Sequence, residues 1–147
     1  MSKELKIMRL KENAVVPSRA TDGSAGLDLY ACIDNEVVIN PSETVKIPTG
    51  IAIDFCDKNL CGLVFARSGI SINDGIMLAN GVGVIDSDYT GEIIVGLHNV
   101  KSKPYTIINN QRIAQLLIMP VVLPIIKEVN SIKSTIRGAK GFGSTGK

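Results

Sequence analysis

Tryptophan is absent, and aromatic residues make up 4% of the 147-residue chain. Such a sequence has no row of rings on which successive bases of a single strand could stack. Charge offers no substitute, because 16 Lys and Arg against 14 Asp and Glu leave a formal net charge of +2. That is too balanced for binding nucleic acid by bulk electrostatics, so any anion must be gripped locally. Histidine occurs once, at His98, and the three cysteines, Cys32, Cys56 and Cys61, contain no CxxC pair. A zinc site is therefore disfavoured, and the thiols are expected to be small buried hydrophobes in a reducing cytoplasm. Long apolar runs are missing too: the richest, 116–126, contains Pro120 and Pro124 and is about half the length of a membrane-spanning helix. The N-terminal MSKELKIMRLKEN is charged where a secretion signal needs an apolar stretch. The expectation is a soluble, cytoplasmic protein with neither nucleic acid nor membrane as a partner.

What is present is a composition of 45% hydrophobic and 20% charged residues, that of an ordinary globular chain with the length of one domain. Segments between turn signals are short and rich in Ile, Val and Thr, without sustained helical periodicity. Strands are expected over 6–10, 27–33, 36–39, 43–53, 61–66, 92–98, 105–108 and 112–128, with one turn of helix near 68–73. Turns fall at Asp22-Gly23, Asn40-Pro41, Asp74-Gly75, Asn80-Gly81 and Asn109-Asn110. Pro48 and Gly50 interrupt 43–53 and demote it there to an edge or a bulge. So many short strands in one domain imply an all-β fold, a jelly-roll-like sandwich or a closed barrel, in which each strand buries one face. The strand around 115–126 is apolar on both faces, which suits contact with another subunit, or equally a central place within the monomer.

Three internal stretches place polar groups beside apolar strands. In AGLDLYA, Asp28 sits inside an apolar strand, where a carboxylate needs either a structural hydrogen bond or a metal-linked role. In ARSGIS, Arg67, Ser68 and Gly69 combine a planar guanidinium, a hydroxyl and a glycine at a strand end, a combination suited to clamping phosphate. In GVGVIDSDYTGEI, Asp86, Asp88 and Tyr89 share one turn, which plain turn chemistry and catalysis both explain. The C-terminal RGAKGFGSTGK forms no packed core; its glycines, basic residues and hydroxyls suit either wrapping a polyphosphate or a solvated tail. Within it Phe142 must close onto something, whether a nucleobase, its own domain or a neighbouring subunit. The string from Gly141 to Lys147 spells GxxxxGK, but it is not a P-loop, which needs a preceding strand and a following helix.

Taken in order, AGLDLYA, ARSGIS, GVGVIDSDYTGEI, RIAQLLI and RGAKGFGSTG resemble the five motifs of the homotrimeric dUTPase family, spanning nearly the whole chain. The resemblance implies a jelly-roll homotrimer with active sites shared between subunits, and Mg²⁺-assisted hydrolysis of dUTP to dUMP and pyrophosphate. By motif, Asp86 corresponds to the carboxylate that activates the attacking water, and Tyr89 to the ring under deoxyribose that excludes a 2′-hydroxyl. Asn80 and its hairpin, Gly83 included, correspond to the uracil pocket. Ser68, Gly69 and Gln115 match phosphate-contacting positions and Arg67 the neighbouring arginine. Asp28 matches a residue that orients the water shell of Mg²⁺. In the tail, Arg137 corresponds to a γ-phosphate contact, Phe142 to the ring covering uracil, and Gly143, Ser144 and Thr145 to an arm closing over the phosphates. The implied organisation is a β domain over 1–136 followed by a flexible arm over 137–147. Ala66 and Lys140 stand where proline and glycine are common in the family, and neither removes a role. Two other functions fit the scaffold: a non-catalytic nucleotide sensor, which the retained Asp86 opposes, and a deoxycytidine nucleotide deaminase, which the tail and deoxyribose motifs fit less well.

Overall fold

A computed structural model describes residues 4–136 and 138–139. The described residues fold into eleven short strands and one helical turn over Gly69–Asn73. The strands are β1 (Lys6–Arg9), β2 (Leu27–Tyr30), β3 (Val37–Ile39), β4 (Thr44–Pro48), β5 (Ile51–Asp54), β6 (Leu60–Phe65), β7 (Ile76–Leu78), β8 (Gly83–Ile85), β9 (Ile94–Asn99), β10 (Tyr105–Ile107) and β11 (Arg112–Pro120). All pairings are antiparallel, in sheets ordered β2-β11-β6-β8, β4-β9-β7, β1-β5 and β10-β3. This is the jelly-roll-like, all-β architecture that the pattern of short strands predicts. Among the described residues no helix is long and apolar enough to cross a membrane.

Alternation along the strands drives the assembly. Leu29, Ile39, Ile47, Ile51, Phe55, Ile76, Leu97, Ile113 and Leu116 all point into one apolar cluster, each buried side chain contributing roughly 1.5–3 kcal/mol relative to exposure. Along β6 the pattern alternates between buried and half-buried residues, so that Val64 faces the core and Phe65 the opposite face of the sheet. The register then builds the outer face: Gln115 of β11 lies between Asp28 of β2 and Phe65 of β6, and Leu117 lies beside Leu63.

The structure corrects four expectations. The segment 43–53 is not one strand: it splits after Pro48, which ends β4 at the edge of its sheet, opposite Ile94, where a missing N–H is tolerated. Gly50 then turns the chain with φ +69°, and a Cβ there would lie 2.7 Å from Cys32 Sγ and 2.8 Å from Ala14 Cβ, so the corner accepts no side chain. The segment 112–128 keeps its ladder only to Pro120; Val121 N–H still donates to the Asn59 carbonyl at 2.8 Å, and 122–136 is irregular and exposed. Pro120 and Pro124 explain the stop, since neither donates to a ladder. Strands β7 and β8 were hidden among turn residues because three residues each give almost no periodicity to read. Finally, of the cysteines only Cys32 is buried, with burial pushing its thiol pKa up, whereas Cys56 is exposed and Cys61 half-buried.

Candidate active site

Eight of the residues singled out by the sequence line two clefts, Asn80, Gly83, Asp86 and Tyr89 the one, Asp28, Arg67, Ser68 and Gln115 the other. The first, about 240 Å³, is lined by Asn80, Gly83, Asp86 and Tyr89, together with Glu92 and Val64 among others. Its rim is the tight connection from β7 to β8, closed by Gly81 N–H donating to the Leu78 carbonyl at 3.1 Å and Val82 N–H to that of Asn80 at 2.8 Å. Asp86 follows β8 directly and is exposed. Its carbonyl accepts from Tyr89 N–H at 3.1 Å, which folds the chain so that carboxylate and ring line the same cleft. The Tyr89 hydroxyl donates to the Glu92 carbonyl at 2.8 Å.

Gly91 provides the room for that ring. A Cβ at this position would lie 2.7 Å from Tyr89 Oη and 2.8 Å from Cζ, contacts that no real Cβ makes and that a rigid ring relieves only by moving. Gly91→Ala is expected to keep the fold and its thermal midpoint while lowering kcat/KM for the substrate about tenfold or more through the displaced ring. Steady-state kinetics beside a melting curve checks this.

The second cleft, about 580 Å³, is lined by Asp28, Arg67, Ser68, Gln115, Ser24 and Phe65 among others. Asp28 is buried, and its Oδ1 accepts from Arg67 Nε at 2.8 Å while Oδ2 lies 3.3 Å from Arg112 Nη1. The structural explanation for a carboxylate in an apolar strand is thus present: two guanidiniums compensate its burial. The bond to Asp28 is made by Nε, and Arg67 lines the cleft with a guanidinium of the planar, multi-donor kind that suits phosphate. Gln115 Nε2 donates to the Ala66 carbonyl at 2.9 Å, tying β11 to the strand end that carries Arg67 and Ser68. Gly69 does not line the cleft but begins the helical turn next to Ser68.

The clefts share no lining residue. Adjacent residues of β6 serve them separately, Val64 the first and Phe65 the second, and adjacent strand residues point to opposite faces. One protomer therefore carries the Asp86 set and the Arg67 set as separate surfaces. Arg137, Phe142, Gly143, Ser144 and Thr145 lie outside the described residues.

Sequence reasoning missed Arg112, Glu92 and Gly91. All stand within quoted motifs, but a charge opening an apolar strand resembles a solvated end, and only the register brings Arg112 to Asp28. Glu92 accepts from Gly50 N–H across 42 positions of sequence, a separation that carries no local signal.

Among the described residues no group of three or more His, Cys, Asp or Glu converges to hold a metal. The donor set, a buried Asp28 held by two guanidiniums and an exposed Asp86 in a separate cleft, builds no all-protein cage and suits only a hard cation held chiefly by phosphate and water oxygens.

Fold and clefts together define a jelly-roll-like β domain with two separate polar clefts. The dUTPase family model matches residues 12–146. A deoxyuridine 5′-triphosphate nucleotidohydrolase of Neisseria meningitidis serogroup A is 48% identical over 97% of this chain and 95% of its own. The corresponding protein of Tolumonas auensis is 47% identical over 98% and 97%. Among solved structures, the Staphylococcus bacteriophage 80alpha dUTPase with dUpNHpp aligns with TM-score 0.89 and 29% identity over 99% of both chains. A mutant dUTPase of phage phi11 of S. aureus, solved to detail the coordination of a structural Mg(II) ion, aligns with TM-score 0.80 and 25% identity over 89% of this chain and 99% of that one. The chain belongs to the dUTPase family.

Proposed function

We propose that the two clefts are halves of one active site, closed between copies of this chain in a homotrimer, in which water attacks the α-phosphorus of dUTP to give dUMP and pyrophosphate. Family membership makes the chain a dUTP diphosphatase. The observation that supports the shared site is the separation of the Asp86 set from the Arg67 set into clefts with no lining residue in common. A second copy that seats its Arg67 face against the Asp86 cleft completes both. Further support comes from the exposed apolar residues of 121–136, among them Ile125 at 97% and Ile126 at 88% exposure, a surface that one protomer leaves uncovered. Three copies of a 15.7 kDa chain come to about 47 kDa.

In this reading the base enters the hairpin around Asn80 and Gly83, whose main-chain groups pair with uracil, while its tightness rejects a 5-methyl group. Tyr89 packs beneath deoxyribose, where a 2′-hydroxyl would collide with the ring. Arg67, Ser68, Gly69 and Gln115 of the neighbouring copy donate to the phosphate chain and neutralise charge that would repel a nucleophile. Asp86 orients a water and accepts its proton as the new phosphorus–oxygen bond forms and the bond to the pyrophosphate oxygen breaks. Mg²⁺, when bound, supplies charge neutralisation along the triphosphate, and Asp28 orients its water shell. Arg137 reaches the γ-phosphate, Phe142 covers uracil, and Gly143, Ser144 and Thr145 close over the phosphates as a flexible arm. In the cytoplasm the reaction limits uracil incorporation into DNA and supplies dUMP for dTMP synthesis.

Incubation with dUTP, dTTP, dCTP or UTP in the presence of Mg²⁺ tests the reading through the pyrophosphate released from each. Release from dUTP alone is expected. Comparable release from UTP or dTTP contradicts the assigned pocket, and ammonia from dCTP would make the protein a deaminase.

A further inference from the structure

We infer that Glu92 is a positioning residue for discrimination against the 2′-hydroxyl, acting by anchoring Tyr89 to the immobile corner at Gly50. The inference rests on the reading of the first cleft as the deoxyribose pocket.

The anchor begins inside the fold. Gly50 turns at φ +69° against Cys32 and Ala14, with no room even for a methyl group, and its carbonyl accepts from Leu10 N–H at 2.7 Å. Close packing on one side and a backbone bond on the other leave this corner little freedom. From it the Gly50 N–H donates to Glu92 Oε1 at 2.8 Å. The next peptide is held as well: Ile93 N–H donates to the Ile51 carbonyl at 2.9 Å, and the buried Thr49 hydroxyl donates to the Ile93 carbonyl at 2.6 Å. A trans peptide points its carbonyl opposite to its N–H, so fixing Ile93 N–H aims the Glu92 carbonyl outward, where it accepts from the Tyr89 hydroxyl at 2.8 Å. Tyr89 itself is 46% exposed, and Gly91 beside it offers no side chain to brace the ring. The ring lies against the Gly91 backbone, and its hydroxyl supplies the polar tether that fixes it there. Glu92 is the side-chain link between that hydroxyl's acceptor and the core, and it lines the same cleft.

A ring that must exclude one oxygen atom has to be held within a fraction of an ångström. Loosening its anchor is expected to affect the choice between dUTP and UTP more than the chemistry at phosphorus, which Asp86 and the opposite cleft perform.

The test uses the full chain and the ratio of kcat/KM for dUTP to that for UTP. Glu92→Gln keeps an oxygen acceptor for Gly50 N–H and is expected to leave the ratio within about twofold of wild type. Glu92→Asp keeps the charge but withdraws the carboxylate by one carbon, and Glu92→Ala removes it. Both are expected to lower the ratio about tenfold, chiefly through a lower KM for UTP as the ring yields to the 2′-hydroxyl. Tyr89→Phe, which removes the hydroxyl, should produce a similar loss, and combining it with Glu92→Ala should add little. A structural role alone would lower the melting temperature and leave the ratio unchanged. The inference is overturned if Glu92→Ala or Glu92→Asp discriminates as wild type does, if Glu92→Asp outperforms Glu92→Gln, or if the Glu92→Ala and Tyr89→Phe losses multiply. A wild-type protein indifferent to the 2′-hydroxyl would overturn the reading of the cleft itself, and the inference with it.

Discussion

Asp86→Asn is expected to lower kcat for dUTP by about 10² to 10⁴ while leaving dUTP binding close to wild type. The substitution keeps the size of the side chain and one oxygen acceptor, but an amide cannot take the proton of the attacking water. Asp86 lines the first cleft at the end of β8, exposed to solvent from which a water can enter. The control is two residues away. Asp88 shares the turn and its exposure but lines neither cleft, so Asp88→Asn is expected to turn over dUTP at a rate near wild type. Single-turnover kinetics with a separate titration of dUTP binding resolves the two effects. Near-normal turnover by the Asp86 variant, or equal losses in both variants, would remove Asp86 from the chemistry.

Truncation is expected to separate assembly from activity. Removing 121–147 deletes a segment in which Val122, Leu123, Ile125, Ile126, Val129, Ile132 and Ile136 are all exposed on the protomer. Covering such side chains stabilises an interface by about 1.5–3 kcal/mol for each one fully buried, so the set together exceeds what most trimers could lose. The chain ending at Pro120 should therefore scatter light as a monomer of about 13 kDa, 120 of the 147 residues, and be inactive. Removing only 137–147 deletes Arg137, Phe142, Gly143, Ser144 and Thr145 but leaves the apolar segment in place. That protein should remain a trimer, now of about 44 kDa, and lose the activity for which 137–147 is proposed to close the site. A trimer that survives the longer deletion would show that 121–136 is not its interface, and an unfolded product of the shorter one would make the tail structural.

The fold was legible in the sequence wherever a strand was long enough for alternation to show. β6 and β11 read clearly because each is a nearly continuous apolar run of strand length, and turn pairs such as Asn40-Pro41 and Asn80-Gly81 marked the breaks. β7 and β8 did not, being short and set among turn residues whose composition dominates the local signal. The end of β11 was overestimated because hydrophobicity continues past Pro120, although the residues that carry it face outward. Apolar character shows that a segment needs covering, not which chain covers it. The site was legible as composition: Asp28, Arg67, Gln115, Asp86 and Tyr89 all line clefts. Its division was not. Which face of β6 a residue occupies follows from parity along the strand, but that the faces build different clefts depends on how the sheets pack. Pairings such as Arg112 with Asp28 and Glu92 with Gly50 join residues 84 and 42 positions apart, and nothing local announces them.

The shared site is tested most directly by mixing two inactive variants, each dead in one cleft: Asp86→Asn in the first and Arg67→Ala in the second. The two proteins are unfolded together at equal concentration, refolded, and assayed with dUTP. If every site joins the Asp86 cleft of one copy to the Arg67 cleft of the next, each mixed trimer holds one site with both halves intact. Random assembly then restores about one quarter of the activity of the same quantity of wild-type trimer. If each protomer built its own complete site, every site in the mixture would carry one lesion, and activity at the level of the separate variants would contradict the account.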